Sequence, residues 1–276
     1  MAAYARIFNA YCKYLAEFAI SFCIPYPVQD LLNFLTYSFE RGVSYATLCT
    51  YLSALSFQVK IRGLHDTTKD FIVKQLMKGI KNVSFQVAVK RLPLFPQHIE
   101  LLIANLANLN LPSYTVMLLK AMMCLAFALA LRLGEMTRSK HNLMFESISF
   151  GPSFLVVKFN SFKHSSGDHA MVHVIKKSSS PVCPVDVMKD YIALRGVAHG
   201  PLFLLNQNAV TKNFFSKSLQ RLLALANLEG RFTPHSFRIG AATWWHCQGF
   251  SNSQIRRKGR WASEAYKHYI RGAVMH

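Results

Sequence analysis

The chain has 276 residues, 51% of them hydrophobic, enough apolar material for two folded domains and too much for general disorder. Thirty-two Lys and Arg face thirteen Asp and Glu, a formal charge of +19 that favours a polyanionic partner, nucleic acid ahead of an anionic membrane. Six scattered cysteines with no CxxC pair argue against a zinc ribbon or a disulfide framework and suit a reducing compartment.

The charge is uneven. Residues 1–87 carry nine basic and five acidic side chains, a net of +4, whereas 88–276 carry twenty-three and eight, a net of +15. No secretory signal is visible, because Arg6, Lys13 and Glu17 interrupt the N-terminus. The expectation is a soluble, intracellular protein.

In chain order, Tyr4, Phe8, Tyr11, Leu15 and Phe18 recur at helical steps and predict a first helix, stopped by Pro25 and Pro27. A second is expected from about Val28 to Arg41, closed by Gly42, and Ser44 is a plausible N-cap for a third through Leu48, Leu52 and Leu55. A fourth spans roughly Thr67 to Asn82 with Phe71, Leu76 and Ile80 inward. These four make a small bundle, domain 1–86. The proline-bearing stretch 87–95 is the expected linker, and 96–276 the second domain.

That domain opens with a helix from about Pro96 to Leu109 and a long apolar one, Tyr114–Leu131, whose run Ala121–Leu131 is too short for a membrane span. "SISF", "FLVVKFN" and "AMVHVIK", with a "HSSGD" turn, predict a small antiparallel sheet of two or three strands. Helices follow at about Pro184–Arg195, Lys212–Ala226, Ser236–Cys247, Ser251–Lys258 and Ser263–Arg271.

Chemistry concentrates near the C-terminus, in "HSFRIGAATWWHCQGFSNSQIRRKGRWASEAYKHYIR". Cleaving a phosphodiester without metal needs cations on the non-bridging oxygens, donors for the pentavalent transition state, and a side-chain oxygen to attack phosphorus. His235 and Arg238 share a helix face, and Pro234 starts that helix with free N–H groups aimed at an anion. Arg132, in "ALRLGE", is expected at the C-terminus of the apolar helix, with Glu135 one turn on to fix its guanidinium. Trp261 can only donate a hydrogen bond, and Tyr269 is a candidate nucleophile. His164, His169 and His173 have a spacing that suggests metal, but a strand pair puts them on mixed faces without cysteine or paired carboxylates, so no metal is expected.

"ALRLGE", "HSFR", "GRW" and "YIR", in this order, resemble the tyrosine recombinase (phage-integrase-like) family. The "GRWASEAYKHYIR" ending is most similar to the recombinases of eukaryotic mobile elements of the Crypton, DIRS-like and Ngaro types. The resemblance covers about 90–276 by motif. It implies a mainly α fold with a small antiparallel sheet: an N-terminal helical bundle of the SAM-like, core-binding kind, plus an integrase-like catalytic domain. It also implies a nuclear enzyme that cleaves and rejoins DNA through a 3′-phosphotyrosyl link, without metal, ATP or other cofactor.

By the same resemblance Arg132 and Arg238 clamp the scissile phosphate, His235 relays a proton, Trp261 donates a hydrogen bond and Glu135 supports. Lys163 at the hairpin turn is the general acid, with Lys158 in the preceding strand as runner-up. Tyr269 is the nucleophile, with Tyr266 on the same helix face as the alternative. Lys90, Arg91, Arg256, Arg257, Lys258 and Arg260 are expected to contact DNA phosphates. The implied partner is double-stranded DNA held in a C-shaped clamp, with a homodimer on each site and a homotetramer in the synapse. Two other readings remain at this point: a domesticated DNA-binding protein without catalysis, and a type IB topoisomerase-like nicking-closing enzyme.

Overall fold

The structure is a computed structural model that describes residues 2–84, 91–162 and 170–271. It divides into two compact units, Met1–Ala88 and Val89–His276.

The first unit holds α1 (Ala2–Glu17), α2 (Val28–Glu40), α3 (Tyr45–Lys60) and α4 (Phe71–Val83). Tyr11, Leu15, Leu31, Phe34, Leu35, Leu48, Leu55, Val59, Val73, Met77 and Ile80 meet in one core. Ser44 caps α3 as expected, its Oγ accepting from Thr47 N at 3.3 Å. Two faces differ from expectation. Asp70 caps α4 by accepting from Ile72 N at 2.9 Å, which rotates Val73, Met77 and Ile80 inward and leaves Phe71 70% exposed. Phe18, at the end of the predicted first stripe, lies beyond α1 and is exposed.

The second unit is built around α6 (Ser113–Ala128), whose stretch Ala121–Ala126 is buried throughout. It packs against α8 (Pro184–Arg195) and α10 (His235–Cys247). α5 (Pro96–Ala104) and a 3₁₀ turn (Leu106–Leu109) replace the single helix expected there, and left-handed Asn110 ends the turn. β1 (Ile148–Phe150), β2 (Phe154–Phe159) and β3 (Met171–Lys176) form an antiparallel sheet in that order. Their register pairs Val156 with Ser149 and Val174, and Val157 with His173. The predicted "HSSGD" turn lies outside the described residues. A two-residue hairpin, β4 (Leu204–Leu205) with β5 (Asn208–Ala209), adds a second small sheet; α7 (Leu133–Met136), α9 (Lys212–Leu225) and α11 (Asn252–Lys258) complete the unit. No helix among the described residues is long and apolar enough to cross a membrane.

Three local features position the site. The apolar helix stops at Ala128 rather than Leu131: Ala130 turns left-handed (φ 46°) and Leu131 N bonds back to Ala126 O at 2.8 Å. The extended stretch 91–95 lies along the start of α10, with Leu92 N on Arg231 O (3.0 Å) and Leu94 N on Ser236 O (3.1 Å). A side chain at Gly240 would put its Cβ 1.8 Å from Leu94 O, so this close approach requires glycine. Beyond α11 the expected helix Ser263–Arg271 shortens to a 3₁₀ turn, Glu264–His268, with Tyr269 just past its end.

Candidate active site

Arg132 sits beyond α6 as the N-cap residue of α7, correcting its expected place on the helix C-terminus. Its backbone N–H donates to Glu135 Oε2 (2.8 Å) and its Nη1 to Glu135 Oε1 (3.0 Å). The guanidinium is therefore fixed in direction while its side chain keeps 22% of its surface exposed. Glu135 is buried, and Oε2 accepts a second cation, Arg260 Nη2, at 2.8 Å. Burial pushes the Glu135 carboxyl up, but Arg260, then the Arg132 backbone N–H and guanidinium, outweigh it and hold it below the usual range. It is a carboxylate shared by two arginines.

Arg260 was expected on DNA. It is instead enclosed within the site, its side chain 0% exposed. Its Nη1 donates to Leu129 O (3.0 Å) and Lys258 O (3.4 Å), and its guanidinium lies 3.9 Å from the centre of the Phe159 ring. Its own carbonyl accepts from Arg132 Nη2 at 3.4 Å. The chain reverses here: Arg260 has φ 55°, and the Trp261 ring folds back over Gly259, where a Cβ would lie 1.5 Å from it. Lys258 is corrected in part: it is half-buried, its amine 5.1 Å from the Trp245 ring centre and 5.2 Å from that of Phe250. Arg91, Arg256 and Arg257 are exposed, as phosphate contacts require. Lys90 and Lys163 lie outside the described residues.

Arg238 is fully buried. Its Nη1 donates to Ala130 O and its Nη2 to Gly259 O at 2.7 Å. Together with Arg260 it satisfies carbonyls at and just past the ends of α6 and α11, so two arginines cap two helix C-termini, where the backbone dipole favours a cation. Trp261 roofs the guanidinium at 3.9 Å and Tyr269 at 5.6 Å. Burial first, then Arg132 and Arg260, press its pKa downward.

The nucleophile candidate completes this aromatic roof. The Tyr269 ring lies 5.1 Å from His235 and 5.2 Å from Trp261, centre to centre. Tyr266 packs in the apolar cluster with Trp261, Trp245 and Ile255 and is 2% exposed, which leaves Tyr269 as the better-placed hydroxyl. His235 is pushed down to about 4 by burial and then by Arg91, Arg238, Arg132 and Arg271, so at neutral pH it is uncharged, one ring nitrogen donating and the other accepting. Lys158 is exposed on β2 opposite Val172.

Four donors are left over. Arg238 Nε, Arg260 Nε, Trp261 Nε1 and Arg271 Nε are buried and find no partner among the described residues. Arg271, in "YIR", carries no sequence signal of its own; it joins the cations around His235, and its Nη1 holds His268 O at 2.7 Å. His173 is no metal ligand in the sequence reading and has another setting here. It stands on β3 with its ring edge-on to Phe159 (5.4 Å), pushed down to about 4 by burial and then by Arg260, Lys258 and Arg257.

The chain belongs to the phage integrase family, the tyrosine recombinases, which residues 94–273 match. Among solved structures it is similar to the XerH site-specific recombinase bound to palindromic difH substrate, at 16% identity, TM-score 0.69, covering 97% of this chain and 76% of that one. It is similar to the Tn1549 transposon integrase in complex with transposon right end DNA, at 14% identity and TM-score 0.64, over 98% and 90% of the two chains. A lambda integrase dimer bound to a COC′ core site shares 13% identity and TM-score 0.63, over 100% and 72%. These likenesses establish a common fold. No curated protein sequence matches the chain.

Proposed function

We propose that this tyrosine recombinase cleaves and rejoins double-stranded DNA at specific sites, with Tyr269 attacking phosphorus to form a 3′-phosphotyrosyl link. The observation that carries the reading is the convergence of Tyr269, His235 and Trp261 over Arg238, beside an Arg132 oriented by Glu135. Arg132 and Arg238 hold the non-bridging oxygens, and the free Trp261 Nε1 adds a donor to the transition state. Lys163 gives its proton to the departing 5′ oxygen, which leaves as a hydroxyl. A 5′ hydroxyl from a second duplex reverses the step, so the phosphotyrosyl bond conserves the energy and neither metal nor ATP is required.

The three relatives were all captured with DNA, which supports the same partner here. Residues 1–86 serve as the core-binding domain and 96–276 as the catalytic one, with a dimer on each site and a tetramer at synapsis. The "GRWASEAYKHYIR" ending supports a role in integrating or excising a eukaryotic mobile element, and hence work in the nucleus. Full burial of Arg238 is the observation that favours the second reading, a DNA-binding protein without catalysis.

Covalent trapping separates the two. Incubated with a library of nicked duplexes and denatured, the protein is expected to carry DNA on Tyr269, and Tyr269→Phe to carry none. An adduct on Tyr266 would move the nucleophile within the same chemistry. Salt-sensitive binding with no adduct would establish the non-catalytic reading.

A further inference from the structure

A nucleophile on a short segment must be held against the helix that carries its phosphate ligands. Tyr269 follows a 3₁₀ turn of five residues, while His235 and Arg238 belong to α10. The link between them is Thr243, two turns along α10 from His235 and 0% exposed. Its Oγ1 donates to Tyr269 O at 3.1 Å and accepts from Arg271 N at 3.2 Å, gripping the backbone at the nucleophile's own carbonyl and two residues beyond.

The hydroxyl also lies 2.9 Å from Ile239 O, one turn back on its own helix. One hydroxyl hydrogen serves one acceptor well at a time. With the tyrosine segment docked it is given to Tyr269 O; with the segment released it falls back on Ile239 O, so undocking leaves no buried donor unsatisfied. Such a contact is specific in register yet inexpensive to open. It suits a segment that must hold still during attack and move when strands exchange.

We propose that Thr243 is a positioning residue for the nucleophile, docking the 269–271 backbone on α10 so that Tyr269 stays in register with His235 and Arg238. The proposal rests on the recombinase reading, and its test keeps the two separable. Thr243→Val preserves shape and removes the hydroxyl; Thr243→Ser keeps the hydroxyl; Thr243→Ala is the second hydroxyl-free variant should the valine fail to fold. Each is compared with wild type for the rate of Tyr269 adduct formation on the nicked-duplex library, for DNA affinity, and for hydrogen exchange at the Arg271 amide.

Loss of the hydroxyl is expected to slow the adduct about tenfold, the worth of one or two neutral hydrogen bonds. DNA affinity should be unchanged, Arg271 exchange faster, and serine should restore both rate and protection. A purely structural threonine would not give that split with rescue by serine. Hydroxyl-free variants that react at the wild-type rate, or a serine variant as slow as valine, would overturn the latch. If wild type itself forms no adduct, the recombinase reading falls, and Arg271 exchange alone decides the latch: equal protection in all four proteins rejects it.

Discussion

Around Glu135 two guanidiniums, Arg132 and Arg260, share one buried carboxylate at 2.8–3.0 Å, whereas around Arg238 no carboxylate among the described residues makes contact and the cation is met by two backbone carbonyls and the faces of Trp261 and Tyr269. The first half of the site sets one anion against two cations, so most of its charge is offset before any ligand arrives. The second is held by dipoles and ring quadrupoles, which compensate a buried cation less completely than an anion does. On the proposed recombinase reading, the contrast marks where a phosphate's own charge would be needed: beside Arg238, on the side where Tyr269 stands.

Breaking the under-compensated half should have the largest effect on chemistry. Arg238→Ala is expected to slow adduct formation by about 100- to 1,000-fold, as for loss of a preorganised donor to a transition-state oxyanion. Single-turnover rates on the nicked duplexes measure it. Breaking the carboxylate-paired half should act on stability instead. Arg260→Met leaves Glu135 with one partner and is expected to cost about 3–5 kcal/mol in urea unfolding, with much of the loss recovered when Glu135→Leu is added.

Acid sharpens the comparison further. Glu135 has a depressed pKa, so its contribution is complete above the ordinary carboxylate range and is lost as pH falls through the depressed value. His235 and His173, both pushed to about 4, bind a proton more readily unfolded, where the ordinary value is about 6.5. Their contribution is therefore complete above about 6.5 and drains away as pH falls toward 4. Urea midpoints across that window should flatten in a His235→Asn, His173→Asn double variant, and an unchanged slope would show that neither histidine is neutral in the fold. The smallest effects belong to exposed cations. Arg256→Ala and Arg257→Ala should each lower the salt slope of DNA binding by about 1 and change stability by less than about 0.5 kcal/mol.

Most of the elements, and the shared helix face of His235 and Arg238, could be read because they rest on local pattern. Alternating apolar residues mark β2, Ser44 announces a helix start, and the HxxR pair shares one helix face. What could not be read depends on where the backbone reverses. Arg256 to Arg260 resembles a solvated basic run, but the turn at Gly259 and the left-handed Arg260 send the last arginine inward while Arg256 and Arg257 stay outside. Thr243 and Arg271 escaped notice for a related reason: their roles are bonds to main chain or packing around His235, and no residue pattern encodes a partner 28 positions away. Phe71 was assigned inward from its apolarity, although the Asp70 cap sets the helix phase that turns it out.

The unmatched donors Arg238 Nε, Trp261 Nε1 and Arg271 Nε make the resting protein less stable than its packing allows, since an unfilled buried donor costs about 1–3 kcal/mol. Laboratory evolution for heat resistance alone should therefore be drawn first to Trp261, replacing the indole by a plain ring, because the two guanidiniums also hold main-chain carbonyls. Such thermostable lineages would be predicted to arrive already inactive, so a screen that hardens this scaffold has to select for strand transfer in the same round.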